Sequence, residues 1–238
     1  RERERDPELF AQEYEASFTA IGGAFISSTK LAEATQPFPE HHHGTRVLAL
    51  DPAFSQDDFG FAIACIPQVD DNVVFLEHVE ALRRPGFNTA MDYAMALAKD
   101  WGVTRVVTDQ AKRGVTCQKV PWTGRSNSGM SKAHRYGRVK TLLTQGRLLL
   151  LDNPELRSEF TEITVSPSAS DPGYAITTHG PDDMADAAVM AITESLTPKR
   201  PNAVVHDFGP SQLVIPGHQR HLGVFYGPAI PAYAIDQV

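Results

Sequence analysis

Runs of apolar residues predict a series of strands and helices between residues 46 and 196. Apolar runs bounded by turn residues predict strands at about 46–51, 59–66, 72–79, 103–109 and 147–151. Apolar positions at helical spacing predict helices at about 89–101, 131–145 and 182–196, with Thr89 and Ser131 as expected N-caps and Gly102 and Gly146 as expected ends. Asn153-Pro154 predicts a further short helix, and the runs 161–165 and 174–178 flank turn-rich residues that predict a β-hairpin.

The order of these elements is an antiparallel three-strand meander, then βα units, a hairpin insertion and a last helix. This order is typical of a ribonuclease-H-like α/β fold, in which a mixed sheet is flanked by helices. We expect residues 46–196 to form this domain. Residues 1–45, with a predicted helix at 7–22 and a Pro-flanked segment at 35–45, are interpreted as a helix and linker leading from a further domain outside this chain. Residues 197–238, which contain six prolines, are interpreted as an irregular tail.

Charge is distributed unevenly along the chain. The net charge of −7 by itself disfavours a nucleic-acid partner. Residues 111–151, however, contain no acidic residue and nine basic ones, which is typical of a segment that binds a polyanion. A solvated helix face is the alternative. The candidate DNA-binding residues are Lys112, Arg113, Lys132, Arg135, Arg138 and Lys140.

Three classes of protein are disfavoured by the sequence. No apolar stretch is long enough to span a bilayer, so no membrane partner is expected. Two cysteines do not suggest a disulfide framework, and a reducing compartment is expected. No GxxxxGK[ST] phosphate loop occurs, so an ATPase motor is not expected within this chain.

Aspartates stand at the ends of two predicted strands and at the start of the last helix. Asp51 ends the first strand, Asp109 ends the fourth, and Asp182 and Asp183 open the helix, with Asp186 one turn on. Taken singly, each could be a turn or helix-capping residue, or a solvent-exposed one. The first and fourth strands are neighbours in this fold, however, and carboxylates that converge there would repel one another unless a divalent cation compensated their charge.

Four motifs carry a resemblance to a known family. They are Leu-Ala-Leu-Asp51-Pro-Ala, Val-Val-Thr-Asp109, Lys140-Thr-Leu-Leu-Thr-Gln-Gly-Arg-Leu148 and His179-Gly-Pro-Asp-Asp-Met-Ala-Asp-Ala187. Together they resemble the C-terminal nuclease domain of the large terminase subunit of tailed bacteriophages, over roughly residues 8–196. The final Asp-Asp-x-x-Asp-Ala is the most specific of the four.

The resemblance implies a metal-dependent endonuclease that cuts double-stranded DNA concatemers during viral genome packaging in the host cell cytoplasm. It implies catalytic roles for Asp51, Asp109 and Asp183 as ligands of two Mg²⁺ or Mn²⁺ ions, with Asp182 or Asp186 assisting. One ion would generate hydroxide and the other would stabilise the leaving oxygen. The implied partners are double-stranded DNA, the terminase ATPase domain, the small terminase subunit and the portal protein.

Other functions are compatible with the same fold. A Holliday-junction resolvase or a transposase-like nuclease would use a similar acidic set, and a non-catalytic DNA-binding module would use the fold alone. Activity in the presence of a divalent metal separates the nucleases from the binding module, and a preference for branched DNA would indicate a resolvase.

Overall fold

A five-stranded mixed sheet forms the centre of the molecule. The computed structural model describes residues 24–39, 43–52, 58–68, 70, 72–108, 130–169 and 173–197. The strand order is β4-β1-β2-β3-β5, and the strands are β1 (Gly44–Asp51), β2 (Phe59–Pro67), β3 (Val74–Leu82), β4 (Arg105–Thr108) and β5 (Leu148–Leu150). The first three strands pair antiparallel, while β4 and β5 pair parallel with β1 and β3. The predicted meander and the predicted neighbours β1 and β4 are both confirmed.

Five helices and a hairpin complete the described part of the chain. The helices are α1 (Ser28–Ala34), α2 (Phe87–Asp100), α3 (Lys132–Thr144), α4 (Pro154–Glu162) and α5 (Asp183–Ser195). The hairpin strands are β6 (Thr164–Pro167) and β7 (Tyr174–Thr177), which pair antiparallel before the last helix, as predicted.

The two faces of the sheet carry separate apolar cores. In β1, Val47 and Ala49 belong to a core shared with α1, α3, α4 and α5, whereas Leu48 and Leu50 belong to a core shared with α2. This division follows from the strand geometry, since successive side chains point to opposite faces. Helix α5 lies in the larger core and is buried along most of its length, which its many alanines and other apolar residues permit.

The helix ends test the predicted caps. Ser131 accepts a hydrogen bond from the backbone N–H of His134, and Asn153 accepts one from Leu156, so both predicted N-caps are confirmed. Thr89 as N-cap is wrong. Helix α2 begins at Phe87 with Gly86 as N-cap, because the Gly86 carbonyl already accepts from the N–H of Ala90.

Glycine ends two of the helices. Gly102 and Gly146, the residues expected after α2 and α3, have φ of +59° and +65°. Only glycine adopts this left-handed conformation without a steric cost, which is why it is favoured just after a helix. Both predicted helix ends are therefore confirmed.

Two further predictions are corrected. The segment 161–165 is not a single strand, because α4 continues to Glu162 and β6 begins only at Thr164. Helix α1 was not predicted, and the chain after it is not purely a linker, since Thr35 bridges to Leu150 at the edge of the sheet. Burial of Leu31 against the core stabilises this short helix, and such a tertiary contact is not visible in local periodicity.

The hairpin is anchored on helix α3 by an aromatic residue. The Tyr174 hydroxyl donates to the carbonyl of Ala133, and it lies so near Gly137 that a Cβ there would sit 2.4 Å from the hydroxyl oxygen. Phe25 also contacts the Tyr174 ring, with centroids 5.5 Å apart. The N-terminal segment, the hairpin and α3 therefore pack together at one place.

Some predictions lie outside the described residues. They are the helix at 7–22, the basic loop between β4 and α3, and the tail after residue 197. Among the helices that the structure does describe, none has the length and apolar character needed to cross a membrane.

Candidate metal centre

Asp51 is a buried carboxylate at the end of a central strand. Its relative exposure is 9 %, and it is the last residue of β1. Alternation along the strand puts Asp51 on the same face as Val47 and Ala49, which is the face that α5 covers. The sequence placed this aspartate at a strand end, and the structure adds that it faces the helix carrying the other acidic motif.

A glycine brings the start of α5 up to this position. Gly60 in β2 is the register partner of Asp51. A Cβ built on Gly60 would lie 2.1 Å from the backbone carbonyl oxygen of Asp183 and 3.3 Å from the Cβ of Ala187. Real Cβ atoms do not approach a carbonyl so closely, so only glycine permits this contact. The backbone of Asp183 is thereby held against the strand position opposite Asp51.

The first turn of α5 is capped by another helix. Asp182 is the N-cap residue, yet its side chain makes no capping hydrogen bond. Instead, Glu159 of α4 accepts a 2.7 Å hydrogen bond from the backbone N–H of Ala185. Asp182 therefore occupies the N-cap position, but Glu159, rather than the Asp182 side chain, satisfies a free N–H group of that turn.

Glu159 is itself an unusual carboxyl. It is 8 % exposed. Burial raises its pKa from 4.5 to about 8; the hydrogen bond from Ala185 opposes this rise, and the nearby charges of Asp183, Asp182 and Asp186 add to it. The raised pKa of Glu159 therefore reflects mainly its burial, and the three aspartates at the start of α5 add a smaller effect.

Asp182 and Asp186 share one lysine. The Lys132 Nζ lies 2.5 Å from Asp182 Oδ2 and 2.8 Å from Asp186 Oδ2. The other oxygen of Asp186 accepts a 2.7 Å hydrogen bond from the hydroxyl of Tyr136, whose side chain is fully buried. The Thr178 hydroxyl donates to Asp182 Oδ2. The interpretation of Asp186 as a solvent-exposed residue is therefore wrong, since both of its carboxylate oxygens bond residues of α3.

Burial and charge act in opposite directions on this group. Burial raises the pKa of Asp186, while Lys132 works against the rise. Burial also disfavours the charged form of Lys132, but Asp186 and Asp182 outweigh it, and the pKa of Lys132 is raised. At neutral pH the lysine is therefore a cation bound by two carboxylates.

The described residues supply part of a set of metal ligands. Their oxygen donors, from Asp51 and Asp183, are the type that hard divalent cations prefer. Within the described ranges, no three His, Cys, Asp or Glu side chains are grouped to hold an ion. Asp109 lies outside those ranges. The residues therefore fit a divalent cation provided that Asp109 joins Asp51 and Asp183.

The basic residues of α3 are half-buried rather than fully exposed. The Lys140 Nζ lies 4.9 Å from the centroid of the Phe25 ring. Burial lowers the pKa of Arg138, and the charge of Glu194 opposes this effect. Arg135 lies on the same helix, whereas Lys112 and Arg113 lie outside the described residues. Their role in DNA binding stays a prediction.

Two polar residues near the motifs have local partners. Asp58, at the entry to β2, accepts a hydrogen bond from the backbone N–H of Arg84. The His179 ring lies 3.5 Å from the hydroxyl of Thr164 at the base of the hairpin.

A comparison with protein families decides the relationship. The model of the terminase RNaseH-like domain matches residues 48–195, more than half of the chain. The chain belongs to this family. A comparison with curated proteins found no match.

Solved structures of large terminases share the fold of this terminase domain. The large terminase nuclease from thermophilic phage G20c has 15% sequence identity and a TM-score of 0.57, and the alignment covers 73% of this chain and 99% of that one. The same nuclease with bound magnesium has 15% identity and a TM-score of 0.53, covering 72% and 98%. The large terminase from thermophilic bacteriophage D6E has 12% identity and a TM-score of 0.65, covering 82% of this chain and 51% of that one.

The predicted fold class, a ribonuclease-H-like sheet flanked by helices, is thereby confirmed. The family match identifies a terminase RNaseH-like domain, and the solved large terminase nucleases share its fold. This chain spans about half of the D6E large terminase.

Sequence reasoning missed three features of this terminase domain. Glu159 carried a signal, because it lies on the apolar stripe of α4 beside Leu156 and Phe160, where an acidic residue requires a partner. Gly60 and the pairing of Lys132 carried none, since each depends on a contact between distant elements.

Proposed function

We propose that this terminase domain is a metal-dependent endonuclease that cuts double-stranded DNA concatemers during genome packaging in the host cell cytoplasm. The observation that carries the proposal is the approach of the Asp183 backbone to Gly60, the strand partner of Asp51. Two aspartates from distant parts of the sequence are thereby brought to the same end of β1.

Asp109 is proposed as the third ligand on the basis of sheet register. Thr108 of β4 is paired with Leu50 of β1, and the next residues along the sequence are Asp109 and Asp51. Val107 lies in the core under α5. Continuation of the strand by one residue would put Asp109 on that same face beside Asp51.

Asp51, Asp109 and Asp183 would hold two Mg²⁺ or Mn²⁺ ions. When bound, the ions would lower the pKa of the attacking water and stabilise the leaving 3′ oxygen. The G20c nuclease with bound magnesium supports a divalent cation. The assisting role of Asp182 or Asp186 stays a prediction, and it would require the displacement of Lys132, which bonds both carboxylates.

The protein's own residues would prepare this site. Gly60 keeps the start of α5 close to β1, and Glu159 satisfies the N–H of Ala185 so that no aspartate is needed as a cap. Basic residues of α3, including Arg135, Arg138 and Lys140, would contact the DNA backbone without reading its sequence. Lys132, which was also expected to contact DNA, is paired instead with Asp182 and Asp186. An ATPase domain, the small terminase subunit and the portal protein would be the protein partners.

Plasmid cleavage tests the proposal. The full chain should nick and linearise circular plasmid with Mn²⁺ or Mg²⁺ and lose this activity in EDTA. Asp51→Asn, Asp109→Asn and Asp183→Asn should each reduce cleavage below detection with an unchanged circular dichroism spectrum. The matched control is Asp152→Asn, an exposed aspartate shortly after β5 that pairs with Arg157, which should cut like the unmodified chain.

Three results would count against this function. Cleavage that persists in EDTA, or in all three variants, would exclude the metal mechanism. DNA binding without any cleavage would favour a non-catalytic module. A strong preference for four-way junctions over linear duplex would favour a resolvase.

A further inference from the structure

The acidic residues around the start of α5 fall into two groups. Asp183 lies with its backbone against Gly60, opposite Asp51. Asp182 and Asp186, one helical turn apart, face α3 and bind Lys132. Consecutive residues of a helix point in different directions, which explains why neighbours in sequence belong to different groups.

The second group is already filled by a cation. The Lys132 ammonium donates to Asp182 Oδ2 and Asp186 Oδ2, which are two hard oxygen ligands of the kind that a divalent ion would use. An ion at this place would first have to displace the ammonium. The salt bridges are also only partly accessible, because the side chains are 39%, 27% and 24% exposed for Lys132, Asp182 and Asp186.

Tyr136 adds a second obstacle. Its buried hydroxyl donates to Asp186 Oδ1, so both oxygens of Asp186 have protein partners. Rotation of Asp186 toward an ion would leave this buried hydroxyl without an acceptor, which is unfavourable. Asp186 is therefore fixed toward α3 and not toward β1.

We infer that Lys132 is a positioning residue whose ammonium occupies the Asp182–Asp186 pair and confines divalent ions to the Asp51 and Asp183 side of the cluster. The inference rests on the proposed function, since it concerns which carboxylates take part in metal binding. Without Lys132, two carboxylates that now share one positive charge would be left uncompensated, and they would form a further cation site.

Mn²⁺ titration calorimetry on the full chain at pH 8 tests the inference. Lys132→Met keeps the aliphatic stem and removes the charge, and it should bind one more Mn²⁺ per chain than the unmodified protein. Lys132→Gln should gain the same ion, which covers the case in which the methionine variant does not fold. Lys132→Arg keeps the charge and should leave the number of ions unchanged.

A double variant assigns the extra ion. Adding Asp186→Asn to Lys132→Met or Lys132→Gln should remove the additional Mn²⁺ and restore the original stoichiometry. A merely structural lysine would change the melting temperature in all these variants without changing the number of ions bound.

The outcomes separate this inference from the proposed function. If the unmodified chain binds no Mn²⁺, the proposed function is overturned. If it binds Mn²⁺ and the uncharged Lys132 variants bind the same number, the inference alone is overturned. An extra ion in Lys132→Arg, or one that survives Asp186→Asn, would also overturn it.

Discussion

The two ends of the β1–β2 pair hold buried charge in different ways. At the end where β1 begins, Arg46 donates to both carboxylate oxygens of Glu77 at 2.6 and 3.0 Å. At the end where β1 stops, Asp51 faces the start of α5, where Asp182 and Asp186 both bond Lys132. A bidentate pair of one acid and one base is neutral and complete, whereas two acids on one base keep a net negative charge.

This difference distinguishes a structural ion pair from a candidate site. A buried pair needs no further ligand once both groups are bonded. Concentrated negative charge, by contrast, destabilises a folded chain until a cation binds, so under the proposed function the acidic end should gain stability from metal and the Arg46–Glu77 end should not. The same sheet therefore contains a reference against which the acidic end can be tested.

The largest contrast is expected between Asp51→Asn and Glu77→Gln. Asp51→Asn should abolish metal-dependent cleavage and leave the chain folded. Glu77→Gln should retain cleavage but lower the free energy of unfolding by about 3–5 kcal/mol, since it leaves Arg46 without its buried counterion. Chemical denaturation and plasmid cleavage measure the two effects.

A double variant controls this comparison. Arg46→Met combined with Glu77→Leu removes both charges and should recover most of the lost stability. Cleavage lost in Glu77→Gln under conditions where the protein is folded would contradict the division between the two ends.

A smaller effect is expected for two glycines that occupy equivalent tight positions. A Cβ would lie 2.3 Å from the Ile66 carbonyl oxygen at Gly44 and 2.1 Å from the Asp183 carbonyl oxygen at Gly60. Gly44→Ala and Gly60→Ala should each cost about 1–3 kcal/mol of stability through overpacking. Only Gly60→Ala should also reduce the rise in melting temperature on adding Mn²⁺, because it moves Asp183 away from Asp51. An equal Mn²⁺ response in the two variants would refute the positioning role of Gly60.

The smallest effect concerns pH. Because Glu159 has a pKa of about 8 in the folded chain against 4.5 normally, the folded state holds this proton more tightly than the unfolded state. Stability from this group is complete below the ordinary pKa of Glu and is lost as the pH rises toward 8. Glu159→Gln should therefore flatten the decline in unfolding free energy between pH 5 and 8 (roughly the window between the two pKa values), measured in EDTA. If the unfolding free energy of Glu159→Gln falls as steeply with pH as that of the unmodified chain, the decline is caused by other groups.

Local sequence determined most of the elements and several of their ends. Ser131, Asn153, Gly102 and Gly146 act where they were expected because capping and left-handed turns are decided within a few residues. Asp51 could be placed at a strand end for the same reason. The element order was sufficient to predict the sheet, since β1 and β4 had to be neighbours in that topology.

Tertiary structure decided which carboxylates have partners. Lys132 meets Asp186 across 54 residues of sequence and Glu159 meets Ala185 across 26, and no periodicity reports such contacts. The absence of a side chain at Gly60 has meaning only because a helix carbonyl approaches it in space. The sequence alone therefore determined where acidic residues end strands and begin a helix. The packing of α3, α4 and α5 against the sheet decided which acidic residues bond a lysine and which face β1. Charge compensation depends on distance in space and not along the chain.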